Sequence, residues 1–175
     1  HTTSGSSNIA FGVKAGRYNL TGHQNIYFGS SAGSSNTGGT QNIAIGAYAD
    51  WGGNGHIGIC NVLLGARAGQ FNFFQGNKDS YVGNIALGGC AGSTAFTNTF
   101  STCASTSCFA CNTLLGFSAG KCIGADTGHI DVVENIYIGP YSACRNYGGC
   151  NILLGSHANV RGFPTGVGET ASVGN

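Results

Sequence analysis

One eight-residue unit recurs eight times in this chain, and it constrains the fold more than any other feature. It begins as Asn8-Ile-Ala-Phe-Gly12-Val-Lys-Ala15, and returns at Asn25, Asn42, Asn61, Asn84, Asn112, Asn135 and Asn151. From Asn to Asn the spacings are 17, 17, 19, 23, 28, 23 and 16 residues, while the unit itself never changes length. A packed rung joined by loops of free length behaves this way, and a fixed recurring unit is the signature of a repeat architecture.

Each position of the octad has a physical job. The second and fourth residues are Ile, Val, Leu or Phe in 15 of 16 cases, Thr113 being the exception, so alternation sends them to one face of a strand. The fifth is always glycine (Gly12, Gly29, Gly46, Gly65, Gly88, Gly116, Gly139 and Gly155), which suits a backbone that must turn with φ > 0. The eighth is Ala in seven copies and Ser142 in the other, a small inward residue at a tight corner. The first residue, Asn, has two compatible readings: a turn former at strand entry, or one rung of a stacked amide ladder.

The pattern predicts an all-β fold, a β-solenoid (β-helix or β-roll) of about eight coils with irregular loops, as one domain over residues 1–175. At roughly 4.8 Å per coil such a rod is on the order of 40 Å long. The third octad position is also apolar or aromatic (Ala10, Tyr27, Ala44, Leu63, Ala86, Leu114, Tyr137 and Leu153), although it faces away from the fourth. A strand apolar on both faces is covered on both. Neighbouring copies are the favoured cover; extra strands of the same chain, at 56–59, 80–82 and 130–133, are the alternative. Neither end carries a charge cluster or an amphipathic helix, so the terminal coils are expected to pair head to tail as an open filament. The competing reading is a piece of a longer polypeptide.

Composition narrows the classes further. Glycine occurs 32 times and proline twice, yet 41% of residues are apolar, which excludes both collagen and a disordered linker. Only 7% are charged and the net charge is +1, leaving no electrostatic footprint for nucleic acid. No apolar run approaches the roughly 20 residues of a membrane-spanning helix, so no membrane insertion is expected.

Eight cysteines in so uncharged a chain suggest an oxidising, extracellular setting with disulfides. Cys60, Cys111 and Cys150 each directly precede an octad Asn but sit on alternate coils, roughly 9.5 Å apart, beyond the reach of a disulfide. They should not bridge one another. Cys122 with Cys144 is the best-matched pair, and Cys103 and Cys108 are expected to bridge locally or to Cys90. Cys103, Cys108 and Cys111 also show C-x4-C-x2-C spacing, like a ferredoxin iron–sulfur loop. The Ser/Thr-rich surround, with no acidic residues or βαβ frame, argues for structural thiols, and no cofactor is expected.

The chain has six carboxylates, too few and too scattered for the paired acids of a polysaccharide-cleaving solenoid, so it does not read as an enzyme. Asp126, Asp131 and Glu134, near His129, form a weak cation candidate; a solvated loop is the simpler reading. Asn19-Leu-Thr21 is a sequon, making Asn19 a glycosylation candidate, and the Ser/Thr cluster 93–107 is a candidate for O-linked sugar. The loop Phe71-Asn-Phe73-Phe74 reads as a lateral contact outside the octad.

The unit Asn-Ile-Ala-Ile-Gly-x-x-Ala-Gly, seen best at 8–16 and 42–49, resembles repeats in the heads of trimeric autotransporter adhesins and in the tail-fibre shafts of phages and large viruses. The resemblance covers about 150 residues. It implies a stacked-coil homo-oligomer in an extracellular or virion fibre. Longer, irregular spacings and many cysteines depart from that pattern, as does the lack of a coiled-coil stalk. The expected role is a structural subunit of a secreted filament whose main partner is itself. The alternative is an adhesin or tail-fibre module that binds a surface glycan or receptor.

Overall fold

The computed structural model describes residues 4–52, 58–70, 81–93, 109–121, 132–143, 150–158 and 171–173. Among them there is no helix, and every strand pairing is parallel. The fold is an all-β solenoid.

Nine three-residue strands build the main sheet, and eight of them are the second to fourth residues of the octads. They are β1 (Ile9–Phe11), β2 (Ile26–Phe28), β3 (Ile43–Ile45), β5 (Val62–Leu64), β7 (Ile85–Leu87), β9 (Thr113–Leu115), β11 (Ile136–Ile138) and β12 (Ile152–Leu154), with β13 (Ala171–Val173) as the ninth. They pair in chain order with octad positions in register, as in Ile9 with Ile26 and Tyr27 with Ala44. A second sheet holds the two-residue strands β4 (Gly58–Ile59), β6 (Tyr81–Val82), β8 (Phe109–Ala110) and β10 (Val132–Val133). Gly58–Ile59, Tyr81–Val82 and Val132–Val133, from the three segments named above as extra strands, thus form a sheet of their own together with Phe109–Ala110.

The register decides which apolar face is the core. Third-position side chains point inward: Tyr27, Ala44, Leu63, Ala86, Leu114, Tyr137 and Leu153 are all buried. The eighth-position alanines from Ala32 to Ala158 pack against them, with Ser142 buried in the equivalent place. The octad Asn lies two residues before the third position and therefore shares its inward face. Each Asn Oδ1 accepts two hydrogen bonds from the Asn of the next octad, one from its backbone N–H and one from its side-chain amide. All seven steps from Asn8 to Asn151 have lengths of 2.9–3.1 Å. The other amide hydrogen donates sideways to a backbone carbonyl, from Asn25 to Gly39 at 2.7 Å and from Asn42 to Gly58 at 2.6 Å. A buried amide costs little once its hydrogen bonds are made, so the polar row is compatible with an apolar core.

Left-handed corners bracket each octad. The residue before the Asn has φ of 55–59° in seven copies, from Ser7 to Cys150, and Gly83 has φ 66°. The seventh residue, from Lys14 to His157, repeats that conformation at 55–59°. The fifth-position glycines are different, with φ between 117° and 136°, a region closed to side chains. A Cβ on Gly65 would also lie 2.5 Å from the Gly88 carbonyl oxygen.

Tyr27 fills the core beside Asp50, whose carboxylate accepts from the Asn36 amide at 3.1 Å. The Tyr27 hydroxyl has no hydrogen-bond partner. Burial, and secondarily the Asp50 charge, push its phenol well above the ordinary tyrosine range.

Gly65→Ala is expected to destabilise the chain by at least about 3 kcal/mol, from backbone strain plus the clash. Gly83→Ala, whose Cβ would meet nothing nearer than the Cys111 sulfur at 3.6 Å, costs only about 1 kcal/mol. Urea unfolding followed by circular dichroism compares them. Asn42→Ala strips the acceptor from both donors of Asn61 and should cost about 3 kcal/mol or more in the same assay. Tyr27→Phe removes an unpartnered hydroxyl, so stability at pH 7 should hold or rise by about 1 kcal/mol. Above pH about 10 an unfolded tyrosine releases its proton while folded Tyr27 keeps it, so stability falls as pH rises. Tyr27→Phe should remove that share of the alkaline loss, read from urea midpoints at pH 7 and pH 11.

Candidate functional site: the outer face of the main sheet

Alternation that sends the first and third octad residues inward sends the second and fourth outward. The result is two parallel rows of apolar side chains running the length of the main sheet. One row is Ile9, Ile26, Ile43, Val62, Ile85, Thr113, Ile136 and Ile152; the other is Phe11, Phe28, Ile45, Leu64, Leu87, Leu115, Ile138 and Leu154. No residue in either row is charged, and Thr113 alone is polar. All are exposed or half-buried, up to 65% at Phe11, and neighbours in a row touch: Phe11 and Phe28 stack at 4.9 Å between ring centroids.

The two long edges differ in chemistry. Before the strands run Ser7, Gln24, Gln41, Cys60, Gly83, Cys111, Glu134 and Cys150, all solvent-facing except the half-buried Gly83. The Cys60 thiol donates to Gln41 Oε1 at 3.2 Å and the Cys150 thiol to Glu134 Oε2 at 3.5 Å. Beyond the strands the exposed side chains include Lys14, Tyr48, Arg67, Tyr141 and His157. Phe117 meets Tyr141 edge-on at 5.5 Å, and Tyr141 stacks on His157 at 5.2 Å. These aromatic contacts continue the layered packing outside the strands.

The remaining candidates fall as follows. No disulfide joins Cys60, Cys90, Cys111 or Cys150, and Cys90 is half-buried. Cys103, Cys108, Cys122 and Cys144 lie outside the described residues, as do Asp126, His129, Asp131, the 71–74 aromatic loop and all but Ser93 of the Ser/Thr cluster. Glu134 is exposed, and among the described residues no three His, Cys, Asp or Glu side chains cluster as a metal site. Asn19 is turned inward: it is buried, and its Oδ1 accepts from the Gly22 N–H at 2.8 Å. No described helix is long and apolar enough to cross a membrane.

The face itself was partly hidden in the sequence. Apolar residues at three successive positions look alike whichever side is inward, and only the polar Asn, tied to the third position by period two, distinguishes the sides. No protein-family model, curated protein or solved structure matches the chain.

In the folded protein, alkylation by iodoacetamide mapped by mass spectrometry should modify Cys60, Cys111 and Cys150 well before Cys90. Equal rates for all four would contradict the placement of the thiol row on the exposed edge.

Proposed function

We propose that the chain is a structural subunit of an extracellular filament or fibre, assembling by stacking of solenoid ends and by lateral apolar contacts. The observation that carries this reading is the uncharged double row on the outer face. A patch of this extent is characteristic of a surface that associates. Parallel stacking supports the axial contact, because a further rung added at β1 repeats the hydrogen bonds every internal rung already makes. In this reading each octad opens one coil, eight in all, giving an axial repeat on the order of 40 Å at roughly 4.8 Å per coil. The extracellular setting rests on the eight cysteines, the low charge and the likeness to adhesin and tail-fibre repeats.

Electron microscopy of the native assembly tests the reading directly. Unbranched fibres with that axial repeat are expected. Discrete particles at every concentration would overturn it, and a covalent mass far above that of 175 residues would rule out a polymer of short subunits.

A further inference from the structure

We propose that the outer face of the main sheet mates with the same face of a second copy, so that solenoids associate as face-to-face pairs. This rests on the filament reading above and names the surface and the partner that its lateral contact uses.

The size of the face is sufficient. Nine of its sixteen outward side chains are exposed, from Ile136 at 37% to Phe11 at 65%, and the other seven are half-buried. Together they offer on the order of 1,000 Å² of apolar surface per copy, against the roughly 800 Å² per partner of a standard stable interface. Nothing charged lies in either row, so closing two faces together strands no ion away from water.

The partner follows from the period. Hydrogen bonding between successive strands sets the outward side chains at a spacing of roughly 4.8 Å. Ridges at that spacing interdigitate over their full length only with a surface of the same spacing. A second parallel β-stack has it, whereas the irregular surface of a globular partner meets a few rungs at most. This chain is itself such a stack. A two-fold axis in the interface plane brings apolar rows onto apolar rows and closes the contact, as an isologous interface requires. Two sheets then lie face to face at about 10 Å, the ordinary distance for interdigitating aliphatic side chains.

The test uses the full chain with Ile45→Lys and Ile138→Lys combined, both substitutions lying on the outer face at half-exposed positions. Thr21→Lys, exposed and off the sheet, controls for added charge. Circular dichroism and urea midpoints establish folding; sedimentation velocity and cryo-electron microscopy read the pairing. Wild type and Thr21→Lys should form pairs, with fibres two solenoids wide. The folded double variant should weaken pairing at least 100-fold and leave single solenoids. Pairing that persists in the folded double variant overturns the proposal. So does a wild-type map with this face open to solvent, which decides the matter even if the variant fails to fold. Single-width wild-type fibres would sink the pairing and leave the filament standing, whereas paired particles without fibres would do the reverse.

Discussion

The buried asparagine row is the interaction on which the rest of the solenoid depends. Each amide accepts two hydrogen bonds from one neighbouring rung and donates to the other, so the register between successive strands is set by geometry as well as by apolar contact. A slip of one residue would move every Asn from the core to the surface and every third-position side chain with it. The penalty falls on each rung at once. Three-residue strands have few ladder bonds of their own, and the polar row supplies the specificity that short strands lack.

That constraint also explains the outer face. With Asn and the third residue inward, the second and fourth must point out, yet they are as apolar as the core. Their flanking positions are mixed: Gln24, Gln41 and Glu134 border one side and Lys14 and Arg67 the other, among apolar and aromatic neighbours such as Val13 and Phe117. Charge is therefore available next to the strands and absent from the rows themselves. A solvated sheet face ordinarily alternates apolar inside with polar outside. Fifteen of the sixteen outward positions depart from that pattern, Thr113 being the exception, and that departure is what supports the lateral contact proposed above.

The repeat, its invariant length, the turning glycine and the small corner residue were all legible in the sequence, because each follows from one steric requirement at one position. The direction of the faces was not, since Ile-Tyr-Phe at 26–28 reads the same from either side until Asn25 is known to ladder inward. The left-handed corners were invisible for another reason. Lys14, Tyr48, Arg67 and Gln41 carry no preference for positive φ, and they adopt it because the stacked rungs on either side leave no alternative path. The inward turn of Asn19 was not legible in its sequon, because a three-residue pattern says nothing of burial. That side chain is committed to the Gly22 backbone.

Irregular loops and a regular rod are compatible for a simple energetic reason. Closing a loop costs entropy that rises only with the logarithm of its length, about 0.6 kcal/mol per doubling. The difference between a 16-residue and a 28-residue spacing is therefore smaller than one lost amide bond of the ladder. Lengthening is tolerated wherever the extra residues leave the octad untouched. Shortening or lengthening the octad by one residue is not, because it would break the Asn, glycine and alanine alignments together. The rod is thus rigid in its repeat and permissive in its loops, and a face made only of octad residues stays continuous however the loops vary.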